Sequence, residues 1–110
     1  MMNPAQIEQK LEAAFDAMHG LQAENRDYAI AAAEAKVEYE TAFARALLFA
    51  RDRGLAVEAA KAEATISTAD AYRQSVVKEA EYRANRSAIS TLGTQVDILR
   101  SLAASHRSLF

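Results

Sequence analysis

The sequence predicts an all-α fold, a long antiparallel helical hairpin of coiled-coil type. Three observations predict it. Apolar and small residues recur in alternating steps of four and three through the first half: Ile7, Leu11, Ala14, Met18, Leu21, Asn25, Tyr28, Ala32, Ala35, Tyr39, Ala42, Ala46, Phe49. A second run in the same rhythm closes the chain: Tyr82, Asn85, Ile89, Leu92, Val96, Leu99, Ala103, His106, Phe110. Between them lies Arg51-Asp52-Arg53-Gly54, a turn signal. Alternating three and four keeps one stripe of a helix facing a partner.

The first helix has a marked start. Asn3 suits the N-cap and Pro4 the first helical position, and Gln6 completes a capping box. Met2 and Ile7 occupy the two positions of a hydrophobic staple. Gly20 and the polar stretch after it invite a kink near 20–25. The 4-3 rhythm nevertheless crosses them in phase, which favours a continuous helix to about residue 53. Arg45, Arg51 and Arg53 complement the negative end of its dipole. Gly54 fits the left-handed residue of a Schellman cap, with Leu55 folding back on Phe49 or Ala50.

The chain restarts at about Ala56. Thr65-Ile66-Ser67-Thr68 are weak helix formers, and Ser67-x-x-Asp70 reads as a new capping box, so a break or kink is expected near 65–68. Helix then continues to about residue 108. Folding about Gly54 pairs residues equidistant from it. Leu11 then meets Val96, Ile7 meets Leu99 or Leu102, Met18 meets Ile89, and Phe15 falls opposite Gly93. No strand-like alternation competes with this reading.

Residues 1–110 make a single domain at most. Half the composition is apolar (51%), but much of that is alanine and tryptophan is absent, so the core is thin. A partner surface is expected: a second copy, giving a bundle, or another helical protein. A net charge of −2 offers no global field for nucleic acid or an acidic membrane. Without cysteine there is no disulfide, no thiolate nucleophile and no Cys-based zinc site. The first residues do not read as a signal peptide and no apolar run approaches a membrane span, which suggests a cytoplasmic location.

The chemistry-bearing residues form no recognised catalytic constellation, and enzyme activity, a cofactor and a metal are not expected. Arg86, Gly93, Arg100 and Arg107 are separated by multiples of seven, so three arginines line one edge of the last helix, with Arg83 nearby. A stripe of this kind can track phosphates of nucleic acid. The preferred alternative is that these flanking charges pair across the hairpin, Arg100 with Glu8 or Glu12. His19 and His106 lie too far apart to share a metal. Glu8, Glu12, Asp16, Glu34 and Glu38 read as a solvated acidic face. The helix-packing seam is then carried by Ile7, Leu11, Met18, Tyr28, Tyr39, Phe49, Ile89, Leu92, Val96 and Leu99.

The stretch from Glu79 to Arg107, with Arg86, Leu92, Arg100, Ser101 and Leu102 and the Arg53-Gly54 turn, resembles small helical-hairpin proteins of tailed bacteriophages and prophages. Such proteins are often encoded among early replication and recombination genes. The resemblance implies a phage accessory protein in the cytoplasm of a bacterial host. On that footing three functions are open: a non-catalytic protein–protein interaction module, an accessory factor of phage DNA metabolism contacting nucleic acid through the four arginines, and an inhibitor of a host protein.

Overall fold

The computed structural model describes residues 2–109, with the side chain of Leu109 left aside; Phe110, the last seam position, lies outside the described residues. Three helices follow in order: α1 (Pro4–Asp52), α2 (Val57–Ser67) and α3 (Ala69–Leu109). Contacts divide the chain into two compact units. A terminal unit joins the chain up to Arg26 to the chain from Arg83 on, and a turn unit comprises Asp27–Tyr82. In each, α1 packs against α3 as an antiparallel pair.

The ends of α1 are built as its sequence predicts. Asn3 N–H donates to Gln6 Oε1 at 3.0 Å and Gln6 N–H to Asn3 Oδ1 at 2.9 Å, a reciprocal capping box. At the other end Gly54 N–H donates to the Arg51 carbonyl (2.9 Å) and Leu55 N–H to the Ala50 carbonyl (3.2 Å). These are the two bonds of a Schellman motif, and Gly54 has the left-handed φ of 92° that the motif requires. Arg51 Nη1 donates to the Leu55 carbonyl at 2.9 Å, so the arginine expected to oppose the dipole also ties down the turn. Between these ends α1 is unbroken through Gly20.

The break after α2 sits at Thr68, not at a Ser67 capping box. Ser67 Oγ turns back to the Ala64 carbonyl at 3.3 Å, and Thr68 Oγ1 reaches the same oxygen at 2.6 Å. Thr68 N–H also donates to it, at 3.0 Å. Asp70, which was to complete the box, pairs instead with Arg73. A β-hydroxyl bonded to the carbonyl one turn back bends a helix. Here Ala64 O takes three donors, and the chain turns through the one residue whose hydroxyl can stay buried and bonded.

The core of the turn unit is made of very small side chains. Ala50, Ala60 and Ala64 are fully buried, with Ala32 and Thr68 nearly so. From Ala64 the buried and half-buried positions run Thr68, Ala71, Ser75, Lys78, Tyr82 in steps of four and three. The second seam thus starts well before Tyr82. Tyr39 anchors the middle of this unit, its ring 5.2 Å from Tyr72 and 6.2 Å from Phe43 between centroids. In the terminal unit the core is Ile7, Ala14, Val96 and Leu99, with Asn85 buried among them.

Two glycines of α1 and its turn should respond in opposite directions. A Cβ at Gly20 would meet nothing within 4 Å, so Gly20→Ala is expected to stabilise by about 1 kcal/mol. Gly54→Ala leaves equally open space but forces a left-handed alanine and should cost about 1 kcal/mol or more. Thermal melts of the two variants should move to opposite sides of the parent, each by several degrees (about 4–8 °C per kcal/mol).

Candidate interaction surface

Most seam residues lie where the two runs place them. Ile7, Val96 and Leu99 are buried, and Leu11, Met18, Tyr28, Tyr39, Ile89 and Leu92 are half-buried. Phe49 departs from the pattern. It is 64% exposed, and the buried residue at that level is Ala50. An α-helix gains about 20° on a seven-residue repeat with every heptad. After six heptads the facing stripe has moved to the next residue, and the covered set near the turn becomes Phe43, Ala46, Leu47 and Ala50. The Phe49 ring is covered from one side by the Arg53 guanidinium, 4.8 Å from its centroid, and Arg53 also pairs with Glu63.

The four arginines do not gather into one patch. Arg100 sets its guanidinium over the Phe15 ring at 5.3 Å and forms no ion pair with Glu8 or Glu12 among the described residues. The Phe15 ring therefore finds its partner in Arg100. Gly93 is not needed to admit it, since a Cβ there would have nothing within 4 Å. Arg107 borders a small cavity of about 250 Å³ with Pro4, Ile7, Glu8, Ala103 and His106. Arg83 and Arg86 each have interactions of their own within the fold. At 100° per residue Arg83 lies about 60° around the helix from Arg86, so the edge is not a single line.

Three polar groups sit inside the terminal unit's seam. Asn85 Nδ2 donates to the Leu21 carbonyl at 3.2 Å, linking α3 to α1 across 64 residues of sequence. The Oδ1 atoms of Asn25 and Asn85 are buried without a hydrogen-bond partner among the described residues. His106 Nε2 lies 3.1 Å from the Met2 carbonyl, which can only accept, so Nε2 carries the proton. Its Nδ1 is buried and has no hydrogen-bond partner among the described residues. Among the described residues no group of three His, Asp or Glu side chains is placed to hold a metal ion. No described helix is long and apolar enough to cross a membrane.

The fold also leaves apolar surface uncovered. The terminal unit has an open groove of about 470 Å³, lined by Ala13, Ala14 and Ala17 on one side and Leu92, Ile98 and Leu99 on the other. The turn unit exposes far more. On α1, Ile30, Val37 and Leu48 are 43%, 61% and 64% exposed, and Tyr72, Val76 and Val77 of α3 are also exposed. At 100° per residue Ile30, Val37, Thr41 and Leu48 fall within about 20° of one line, on the side of α1 opposite Tyr28, Ala32, Tyr39 and Ala46. The 4-3 reading, tuned to one stripe, passed over this second one, although spacings of seven and eleven from Ile30 to Val37 to Leu48 mark it in the sequence. No protein-family model, no curated protein and no solved structure matches the chain.

The asparagine layer yields a direct test. Asn85→Leu removes a buried, unpaired acceptor, a feature that costs about 1–3 kcal/mol, against the loss of the bond to Leu21 O, worth about 1 kcal/mol. The variant should melt higher than the parent. It should also lose uniqueness, giving more than one species on an analytical sizing column, because a polar seam residue restricts register.

Proposed function

We propose that the protein is a non-catalytic helical interaction module that docks a partner helix on the outer face of α1 in the turn unit. The observation that carries this reading is a change of character along one heptad position of α1. Every seventh residue on the outside of the helix reads Gln9 and Asp16, then Ala23, then Ile30, Val37 and Ala44, and charge returns only at Arg51 in the last turn. A surface helix with one covered face carries polar residues on the other. The first part of α1 obeys that rule, and the stretch from Ile30 to Ala44 departs from it at this position. Apolar residues repeated at helical spacing on an uncovered face are what helix-in-groove and helix-on-helix recognition uses. The thin alanine core supports the same conclusion, since it leaves the pair with little apolar burial of its own.

The partner on this reading is another helical protein or a second copy of the chain. A photoreactive amino acid placed at Val37 reports on either. Irradiation in the source cells should give a discrete higher-mass adduct from position 37 and none from Glu12, an exposed residue of the polar outer face. No adduct from position 37, or equal labelling from both positions, would remove the basis for the module.

A further inference from the structure

Resting on that reading, we propose that the outer stripe of α1 pairs with the same stripe of a second copy, the two helices running antiparallel about a two-fold axis near Tyr39. The argument is self-complementarity. With the axis at that level, Ile30 of one copy faces Leu48 of the other, and Val37 faces Thr41, so apolar or methyl-bearing side chains meet along the whole stripe. Side chains on the same flank of two antiparallel helices lie beside each other. Glu34 and Arg45 both lie about 40–60° from the stripe on the same flank. They stand at nearly the same distance on either side of the axis, so Glu34 of each copy meets Arg45 of the other. The ion pair therefore forms twice. All six side chains are exposed in the single chain, and neither Glu34 nor Arg45 forms an ion pair among the described residues.

Other charges oppose the pairing. Glu38 and Glu40 lie near the axis but about 80° from the stripe, one on each flank. Asp27 and Asp52 fall on one flank at the ends and Arg26 and Arg51 on the other, so like charges face each other there, screened by water and salt. The stripe from Ile30 to Leu48 spans about 27 Å of helix at 1.5 Å per residue. A contact of that length buries less than the roughly 800 Å² per partner of a stable complex. The dimer is accordingly weak and concentration-dependent.

Sedimentation equilibrium of the pure protein from about 10 µM to 1 mM tests it. The expected result is a mean mass rising from 12.0 kDa toward twice that value. Val37→Glu should hold the mass at the monomer value while circular dichroism stays unchanged. Glu34→Arg and Arg45→Glu should each weaken association about tenfold, and the double variant should restore it. A monomer throughout the range would overturn the proposal, as would a dimer indifferent to Val37→Glu or charge reversals that the double variant does not rescue. A cross-link from position 37 to a different protein, with the pure chain monomeric, would sink the dimer and leave the interaction module standing.

Discussion

Alanine at the contact positions sets how closely α1 can approach α2 and α3. Ala50, Ala60 and Ala64 have no exposed surface at all, although each offers only a methyl group. Complete burial of so small a side chain requires backbones to come near one another. Once they do, the rest of the turn unit is constrained. The break in the second strand of the hairpin must occur at a residue that is itself small and can keep its polar atom satisfied locally, and Thr68 meets both conditions by returning its hydroxyl to Ala64 O. At the end of α1 the contact position is held by the small Ala50, while the bulkier Phe49 lies outside under Arg53. The Schellman turn fixes the direction of the reversal, and the small contact residues determine its depth.

A core of methyl groups stabilises weakly per residue, at roughly 25 cal/mol per Å² of apolar surface buried. The terminal unit supplements it with a different device. Its packing carries larger residues, Ile7, Val96 and Leu99, but also Asn85 and His106, each of which makes a single bond to the backbone of the facing segment: Leu21 O and Met2 O. Such bonds contribute little net energy, about 1 kcal/mol each, while leaving them unmade is expensive. Their value is positional. A seam that repeats every seven residues tolerates a slip of seven. A side-chain amide that reaches one particular carbonyl disfavours such a slip.

Much of this could be read from the sequence because the signals were local and redundant. Asn3 and Gln6 sit three residues apart with Pro4 between them, and Gly54 follows a basic last turn; a few side chains specify each helix end without help from the rest of the chain. The long seam was legible for the same reason, since it repeats many times. What escaped had either no apolar signature or a tertiary cause. Thr68, Ala71, Ser75 and Lys78 continue the second seam, but small and polar residues do not register as hydrophobic periodicity. Arg100 was expected to meet an acid and lies instead on Phe15, because an arginine can pair with a ring or a carboxylate and only the packing decides between them. The Phe49 shift needed the difference between 3.5 and 3.6 residues per turn, accumulated over the length of α1.

That same accumulated difference bears on the outer stripe. A residue seven places on returns about 20° behind its predecessor, so a straight heptad line drifts slowly around the helix. The step from Val37 to Leu48 is eleven residues, and eleven residues return to within about 20° of the same line on the other side. Ile30, Val37 and Leu48 therefore stay on one straight line of the helix surface, where a strict heptad repeat would wind away. A straight stripe suits contact with a straight partner along its length, whereas the seam on the opposite side, kept in 4-3 register, suits a supercoiled one. The two apolar faces of α1 thus differ in geometry as well as in occupancy. The inner one is covered by the chain's own second half. The outer one has the spacing of a contact face and stays exposed at Ile30, Val37 and Leu48.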